Sequence, residues 1–436
     1  MASGRATGCD DRGLTRMFLT LRPAPGGIVF MKFPTNFPIR AIAMTAVFFL
    51  SLGAATATTT EVIFSCEEDE GEYADSDLET DSAGSIYGTT VLGGDFGGGT
   101  VFQLSPTPTG WEHTVLYSFT GGADGGEPYK GVTIDGKGNL YGSAVTGGSG
   151  SCEGGCGVVY KLTNSGGKWT HTVVHAFTGG YDGSGPGARV TLDPSGNIYG
   201  MTPTGGAYGV GTIYKIRQNN KASDLQVIHA FTGGEDGAAG SAGRMILRRG
   251  HIYGAVTAGG TYGSGVVFEL RPRGRGQWDF RTIYSFRGQP DGVFPYGALL
   301  FDGVGNIYGT TYYGGTNGIG SVYQLSPQAV GEWNESVLYS FQEGSDGNSP
   351  ISNLVADGVG NLYGTTSEGG LGRGTIFKLS PTGNGQWIET VVHAFEGPPD
   401  GGFAYNGMVV DAFGNFYGAT VHGGDEDDGA VYKFTP

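Results

Sequence analysis

The amino-acid sequence predicts an all-β fold, a seven-bladed β-propeller of four-stranded blades. Three observations predict it: one dipeptide recurs at a fixed spacing, each repeat holds four short alternating runs, and the strand missing from the last repeat is found ahead of the first. Near copies of Gly138-Asn139-Leu140-Tyr141-Gly142 place the shared Tyr-Gly at Tyr87, Tyr141, Tyr199, Tyr253, Tyr308, Tyr363 and Tyr417, at intervals of 54, 58, 54, 55, 55 and 54 residues. A period of this length marks a repeat array, in which each unit buries its faces only against its neighbours. Glycine supplies 86 of 436 residues, and because aromatic and β-branched residues recur in register between them, these glycines read as turns between strands.

Residues 1–57 precede the repeat and have the layout of a secretory signal behind a short extension. From Met31 the order is Lys32 and Arg40, an apolar run from Ala41 to Ala55, then the small residues Ala55-Thr56-Ala57. The expected mature start is near Thr58, with residues 58–436 forming the propeller and Met31 a candidate for the true start. The apolar run is shorter than the roughly 20 residues that span a bilayer, so release is expected, with no membrane insertion after the signal is removed. Residues 58–436 carry 19 Lys/Arg against 39 Asp/Glu, a formal charge of −20. Such a surface repels phosphate backbones and anionic membranes, which argues against nucleic acid as a partner.

Within the unit, Val132-Thr133-Ile134-Asp135 alternates, and Gly136-Lys137-Gly138 turns tightly into Asn139 to Ser143. A Gly-rich loop leads to Val158 to Leu162, and Trp169 introduces Thr172 to Phe177. Four strands with turn chemistry between them, and no window of helical spacing, give a meander. Radial stacking covers both faces of such sheets, whereas an open β-solenoid usually has a much shorter period. The C-terminal unit has only three strands, Met408 to Asp411, Phe416 to Thr420 and Val431 to Phe434. Residues 61–66, Glu61 to Cys66, align with Thr114 to Phe119 and are expected to complete the last blade and close the ring. If the fourth strand were innermost, blade packing alone would close it.

The one long interval comes from four extra residues in the loop that holds Cys152 and Cys156, and a disulfide between them is expected in a secreted chain. Cys66 stands where other units have Phe119 or Phe177 and reads as a buried apolar substitute.

Loops from strand four to the next strand one, and from strand two to strand three, share one face of a propeller. The first kind carries Asp124, Asp182, Asp236, Asp291, Asp346 and Asp400 ahead of glycine. Blades pack about 10 Å apart, too far for equivalent Asp residues to share a calcium ion, so each is expected to close its own turn. The ring seam differs. Glu67, Glu68, Asp69, Glu70 and Glu72 in the first loop, and Asp425, Glu426, Asp427 and Asp428 in a last-unit loop, would meet there. Solvation or a bound calcium ion are the two ways to relieve the repulsion. No other cofactor is implied.

His175, His229 and His393 occupy the position of Tyr117, Tyr284 and Tyr339 and read as packing variants, and no His/Cys/Asp set has metal-ligand spacing. Trp111, Trp169, Trp278, Trp333 and Trp387 lead into the fourth strand at one place, which favours packing over sugar stacking. Departures from the repeat are the candidate binding residues. Arg248, Arg249 and His251 replace the Asp-x-x-Gly-Asn turn, Arg189 enters a first strand, and Tyr312, Tyr313, Arg373 and His422 stand in loops. A basic and aromatic set could hold an acidic sugar. No nucleophile with a base at recognisable spacing is present.

The segments G-N-x-Y-G-T-T, G-T-x-F-x-L-S-P and V-L-Y-S-F-x-G-G-x-D-G resemble the GloVer tandem repeats of environmental bacteria, over residues 61–436. The resemblance implies an extracytoplasmic repeat protein and supplies no catalytic residues. The Gly131 to Tyr141 pattern is also similar to propellers of the NHL and streptogramin-lyase types. The leading expectation is a secreted monomer that binds an extracellular polysaccharide or protein. A polysaccharide lyase or hydrolase with its site at one channel mouth is the second reading, and a structural surface protein the third.

Overall fold

A computed structural model describes residues 58–219, 222–238, 243–342 and 344–436. The expected signal segment, residues 1–57, lies outside the described residues. Each repeat folds into one antiparallel sheet whose strands follow one another in sequence. The first blade runs Glu79–Thr80, Ile86–Thr90, Thr100–Thr107 and Gly110–Ser118, and the second Val132–Ile134, Leu140–Ala144, Val158–Ser165 and Lys168–Ala176. The third has Thr191–Leu192, Ile198–Thr202, Thr212–Asn219 and Ala222–Ala230, and the fourth Ile246–Arg248, His251–Val256, Val266–Gly274 and Gln277–Ser285. The fifth has Leu300–Phe301, Ile307–Gly314, Ser321–Pro327 and Trp333–Ser340, and the sixth Val355–Ala356, Leu362–Thr366, Thr375–Pro381 and Trp387–Ala394.

The seventh blade takes Val409–Val410, Phe416–Thr420 and Ala430–Thr435 from the C-terminus and Thr59–Ser65 from the other end of the repeat region. Thr59 lies opposite Thr435 and Ser65 opposite Ala430, with a bulge between Val62 and Phe64. The ring therefore closes by strand pairing, with the expected outer strand. The first strand of each blade is short, and the residues leading into it surround the axis.

Burial follows from the alternation. Seven apolar clusters each draw on two adjacent blades, and the one joining Leu78, Ile86 and Phe102 to Tyr417, Ala419 and Val431 completes the circle. The Tyr-Gly dipeptide has a steric cause. A Cβ at Gly142 would lie 2.3 Å from the Tyr160 hydroxyl, and one at Gly88 would lie 2.4 Å from the Phe102 ring. Glycine is thus required wherever the aromatic ring of strand three crosses strand two. Phe119, Phe177, Phe231, Phe286, Phe341 and Phe395, fully buried, set their edges against the aromatic ring of the next blade, as Phe119 does on Tyr160 at 4.9 Å. Cys66 fills this position at the seam, where burial, with Asp428 and Glu70 adding to it, pushes the thiol up to about 12. It is an inert core residue. Tryptophans pack between blades: Trp111 meets Tyr417, Trp278 meets Tyr199 and Trp387 meets Tyr308, each edge-on to a Tyr-Gly tyrosine of the preceding blade.

Candidate functional site

The molecule offers two loop faces and an axial channel. On one face, the loop entering strand one is bridged to the loop leaving strand two in every blade, through pairs such as Gly126 with Thr146 and Asn348 with Glu368. In the fifth blade this bridge grows into Gly292–Pro295 beside Ile307–Gly314, and in the seventh into Gly401–Gly402 beside His422–Gly423. We call this the bridged face.

Each of the six rim aspartates closes its own turn. Asp124 accepts from the Tyr117 hydroxyl at 2.9 Å and the Thr120 amide at 2.9 Å. His175, His229 and His393 hold Asp182, Asp236 and Asp400 in the same way, at 3.0 to 3.1 Å. The histidines are therefore hydrogen-bonding substitutes for tyrosine as well as packing variants. Beyond these turns, Tyr73, Glu127, Phe294, Ser349 and Phe403 share one register and one left-handed conformation, φ 54 to 59°. Each amide donates to a carbonyl of the preceding blade, as Phe403 does to Arg373 O at 2.8 Å and Tyr73 to Asp428 O at 2.7 Å. Inter-blade bonding thus holds a backbone conformation that costs L-residues about 1–2 kcal/mol.

The bridged face also carries exposed aromatic rings, of which the sequence reading singled out only Tyr313. Phe96, Tyr208 and Tyr262 occupy one register of the strand-two-to-three loops and are 64%, 63% and 56% exposed. Tyr181, in a loop after strand four, is 67% exposed, and Tyr313 is 43% exposed. Their signal was present in the aromatic-Gly step repeated at 96–97, 208–209 and 262–263. Tyr312 lies against Tyr313 with ring centroids 4.2 Å apart, and Phe294 flanks them at 6.1 Å. Further round, His422 meets Tyr73 and Phe403 edge-on at 5.8 and 5.4 Å, and the Arg373 guanidinium lies over Phe403 at 6.0 Å.

At the seam, the acidic loops turn to separate partners. Glu70, which holds the rim-aspartate position of this unit, pairs with His113 at 3.2 Å. Asp427 lies 3.9 Å from Arg373 and 3.8 Å from His422, and accepts from the Gly423 amide. Glu67, Glu68, Asp69, Asp425, Glu426 and Asp428 share the same two loops, and among the described residues no group of three or more His, Cys, Asp or Glu is placed to hold a metal ion. Cys152 and Cys156 are joined by a disulfide, Cα atoms 5.1 Å apart, in the long loop of the second blade.

Arg248, Arg249 and His251 sit on the opposite face, so the eight candidate binding residues form no single site. Elsewhere on that face an aspartate closes the strand-one-to-two turn: Asp135 accepts from the Lys137 and Asn139 amides at 2.8 and 2.9 Å and from Tyr141 at 3.3 Å. In the fourth blade Arg249 and Gly250, φ 52 and 81°, make a tight two-residue turn that needs no such carboxylate. Buried Glu269 replaces it, accepting from Tyr253 at 2.9 Å, His251 at 2.7 Å and Arg271 at 2.7 Å. Burial alone would raise this carboxyl, but bonds from Arg271, His251 and Tyr253 outweigh it and hold it below its usual range. Arg248 donates to Asp302 O and lies over Phe301, 4.5 Å away. His251 thus belongs to a turn repair.

Arg189 faces the channel. Its side chain is 4% exposed and bonds to Thr133 Oγ1, to Leu78 O and to Glu79. Arg244 holds the same register one blade on and was missed, although both precede the apolar residue of a first strand, Val190 or Met245. A channel cavity of about 150 Å³ touches both arginines, and a cleft of about 1000 Å³ on the unbridged face also reaches Arg244. The other end is narrow, a space of about 20 Å³ beside Lys130, which bonds to Asn406 at 2.8 Å and to Asp75 at 3.2 Å.

The profile of the Gloeobacter/Verrucomicrobia repeat family matches residues 44–246 and 241–436. No curated protein matches the chain. A solved structure described as a "putative 6-phosphogluconolactonase" from Bacteroides uniformis ATCC 8492 is similar at 13% identity and TM-score 0.48, over 74% of this chain and 86% of that one. A protein of unknown function from Dyadobacter fermentans DSM 18053 is similar at 12% identity and TM-score 0.42, over 86% and 96%.

Proposed function

We propose that this chain, which belongs to the Gloeobacter/Verrucomicrobia repeat family, is a secreted binding module whose bridged face holds an extracellular polysaccharide. The observation that carries the reading is the set of exposed rings at Phe96, Tyr181, Tyr208, Tyr262 and Tyr313, all on one face of a seven-bladed disc. Solvent-exposed aromatics are the residues that gain most from being covered, and the C–H face of a sugar ring covers one without demanding a fixed sequence of polar contacts. Rings at equivalent positions on separate blades suit a polymer, because several weak contacts on one chain multiply through effective concentration. Export is supported by the Cys152–Cys156 disulfide and the signal-like sequence of residues 31–57.

The test is retention of the protein on a panel of plant and microbial polysaccharides, with the products examined for new chain ends. The triple variant Phe96→Ala, Tyr208→Ala, Tyr262→Ala is compared with the parent. Loss of retention in the variant with no new ends supports the reading. New chain ends would favour a lyase or hydrolase, and a panel that retains neither form would refute the reading and favour a protein partner.

A further inference from the structure

Outside the bridged face, one guanidinium is only partly partnered among the described residues. Arg244 lies where the channel cavity meets the cleft of the unbridged face. Its Nε is buried without a hydrogen-bond partner among the described residues, and its one ion contact is Glu79, 4.0 Å from Nη1. Glu79 is already committed to Arg189, whose three nitrogens all have partners. Arg189 is fully partnered within the fold, whereas among the described residues Arg244 is not. Its side chain is 32% exposed while Nε is shut from bulk solvent, and a charged donor so placed is answered by a water or a bound group.

We propose that Arg244 holds the carboxylate of a small sugar acid entering from the unbridged face. The planar guanidinium fork matches a carboxylate with two parallel hydrogen bonds. A single negative charge fits better than a phosphate dianion, because Asp77 and Glu79 line the same cavity and would repel the second charge. The rest of the wall suits a sugar ring. Leu354, Met408 and Val409 lie along the channel cavity, while Lys137 and Ser195 offer partners for sugar hydroxyls in the cleft. Beyond this cavity the channel narrows to a space of about 20 Å³ beside Lys130, Tyr296 and Tyr405, so the site suits one residue or a chain end. Burial lowers the Arg244 guanidinium, with Asp77 opposing.

The test is calorimetric titration of the purified protein at neutral pH with glucuronate, galacturonate, glucose, acetate and glucose 6-phosphate, on the parent and on Arg244→Gln. Saturable binding of a uronate, with glucose silent and acetate weaker, is expected, and Arg244→Gln should weaken it roughly tenfold to a hundredfold. A cooperative thermal transition for Arg244→Gln confirms that it folds. No uronate binding by the folded parent, or binding unchanged in Arg244→Gln, would overturn the assignment. Tighter binding of glucose 6-phosphate would overturn the carboxylate, and equal binding of acetate would overturn the sugar. The aromatic triple variant keeps Arg244, so its uronate binding should equal the parent's whatever happens to polymer retention.

Discussion

Replacing Glu335 and Glu389 with glutamine should stabilise this protein at alkaline pH and do little at acid pH. Between the fourth and fifth blades, the Tyr284 hydroxyl donates to one oxygen of Asp291 at 2.8 Å, while the other oxygen and Glu335 Oε1 are buried without partners. Between the fifth and sixth, Tyr339, Asp346 and Glu389 repeat the arrangement, again with one oxygen on each carboxyl unpartnered among the described residues. Elsewhere this position packs without a second acid: His171 stacks on Tyr117 at 4.4 Å and Phe280 on His229 at 4.0 Å. Burial first, and then the neighbouring aspartate, push Glu335 and Glu389 up to about 7 from the ordinary 4.5. The folded chain therefore holds these protons to higher pH than the unfolded chain. Their contribution is fully present below about pH 4.5 and is lost as pH rises through about 7. A fully buried carboxyl with this shift would lose about 3 kcal/mol, and partial exposure reduces that to roughly 1–2 kcal/mol per site. The assay is thermal and denaturant unfolding at pH 5 and pH 8. The double variant should gain about 2–4 kcal/mol at pH 8 relative to its difference at pH 5. Equal effects at both pH values would refute the reasoning.

Other outcomes follow from the same interfaces. Glu269→Ala should destabilise by about 2–3 kcal/mol at neutral pH, because Tyr253 and His251 lose their acceptor. Since the Glu269 carboxyl is held low, its contribution is present above about pH 4.5 and lost as pH falls further, so the penalty should shrink in acid melts. Tyr160→Phe and Tyr214→Phe remove buried hydroxyls that have no partner among the described residues, and the same position is already Phe102, Phe268 and Phe377 in other blades. Unfolding in urea should show no loss, and a gain of up to about 1 kcal/mol each. Chelation with EDTA should leave the melting temperature unchanged, since Glu70 and Asp427 have protein partners. A fall of several degrees would instead reveal calcium at the seam.

The blades were legible because their constraints are local and repeated seven times. Tyr141-Gly142 reports a ring crossing a strand, and Asp135 reports a turn, so both survive in the sequence. Ring closure was legible from Glu61 to Cys66 because the last unit visibly lacks a strand. The site was less so. The unusual residues were found, but sequence distance does not say which face a loop leaves from. Arg248 and His251 therefore seemed to belong with Arg373 and His422, although the disc separates them. Glu269 escaped notice because strand three tolerates Gln103, Lys161 or Glu269 at one register, and only packing shows that it replaces a turn aspartate. Arg244 and Phe96 were overlooked for the opposite reason: aligned copies of each unit would have exposed both, one as a channel residue and one as a recurring exposed ring.

The central claim, that the bridged face binds polysaccharide through its exposed rings, is tested most directly by retention of the purified protein on immobilised polysaccharides beside the Phe96→Ala, Tyr208→Ala, Tyr262→Ala variant. The account predicts that at least one polymer retains the parent and releases the variant, with both forms melting alike. Retention of parent and variant to the same extent, or of neither by any polymer, would contradict it.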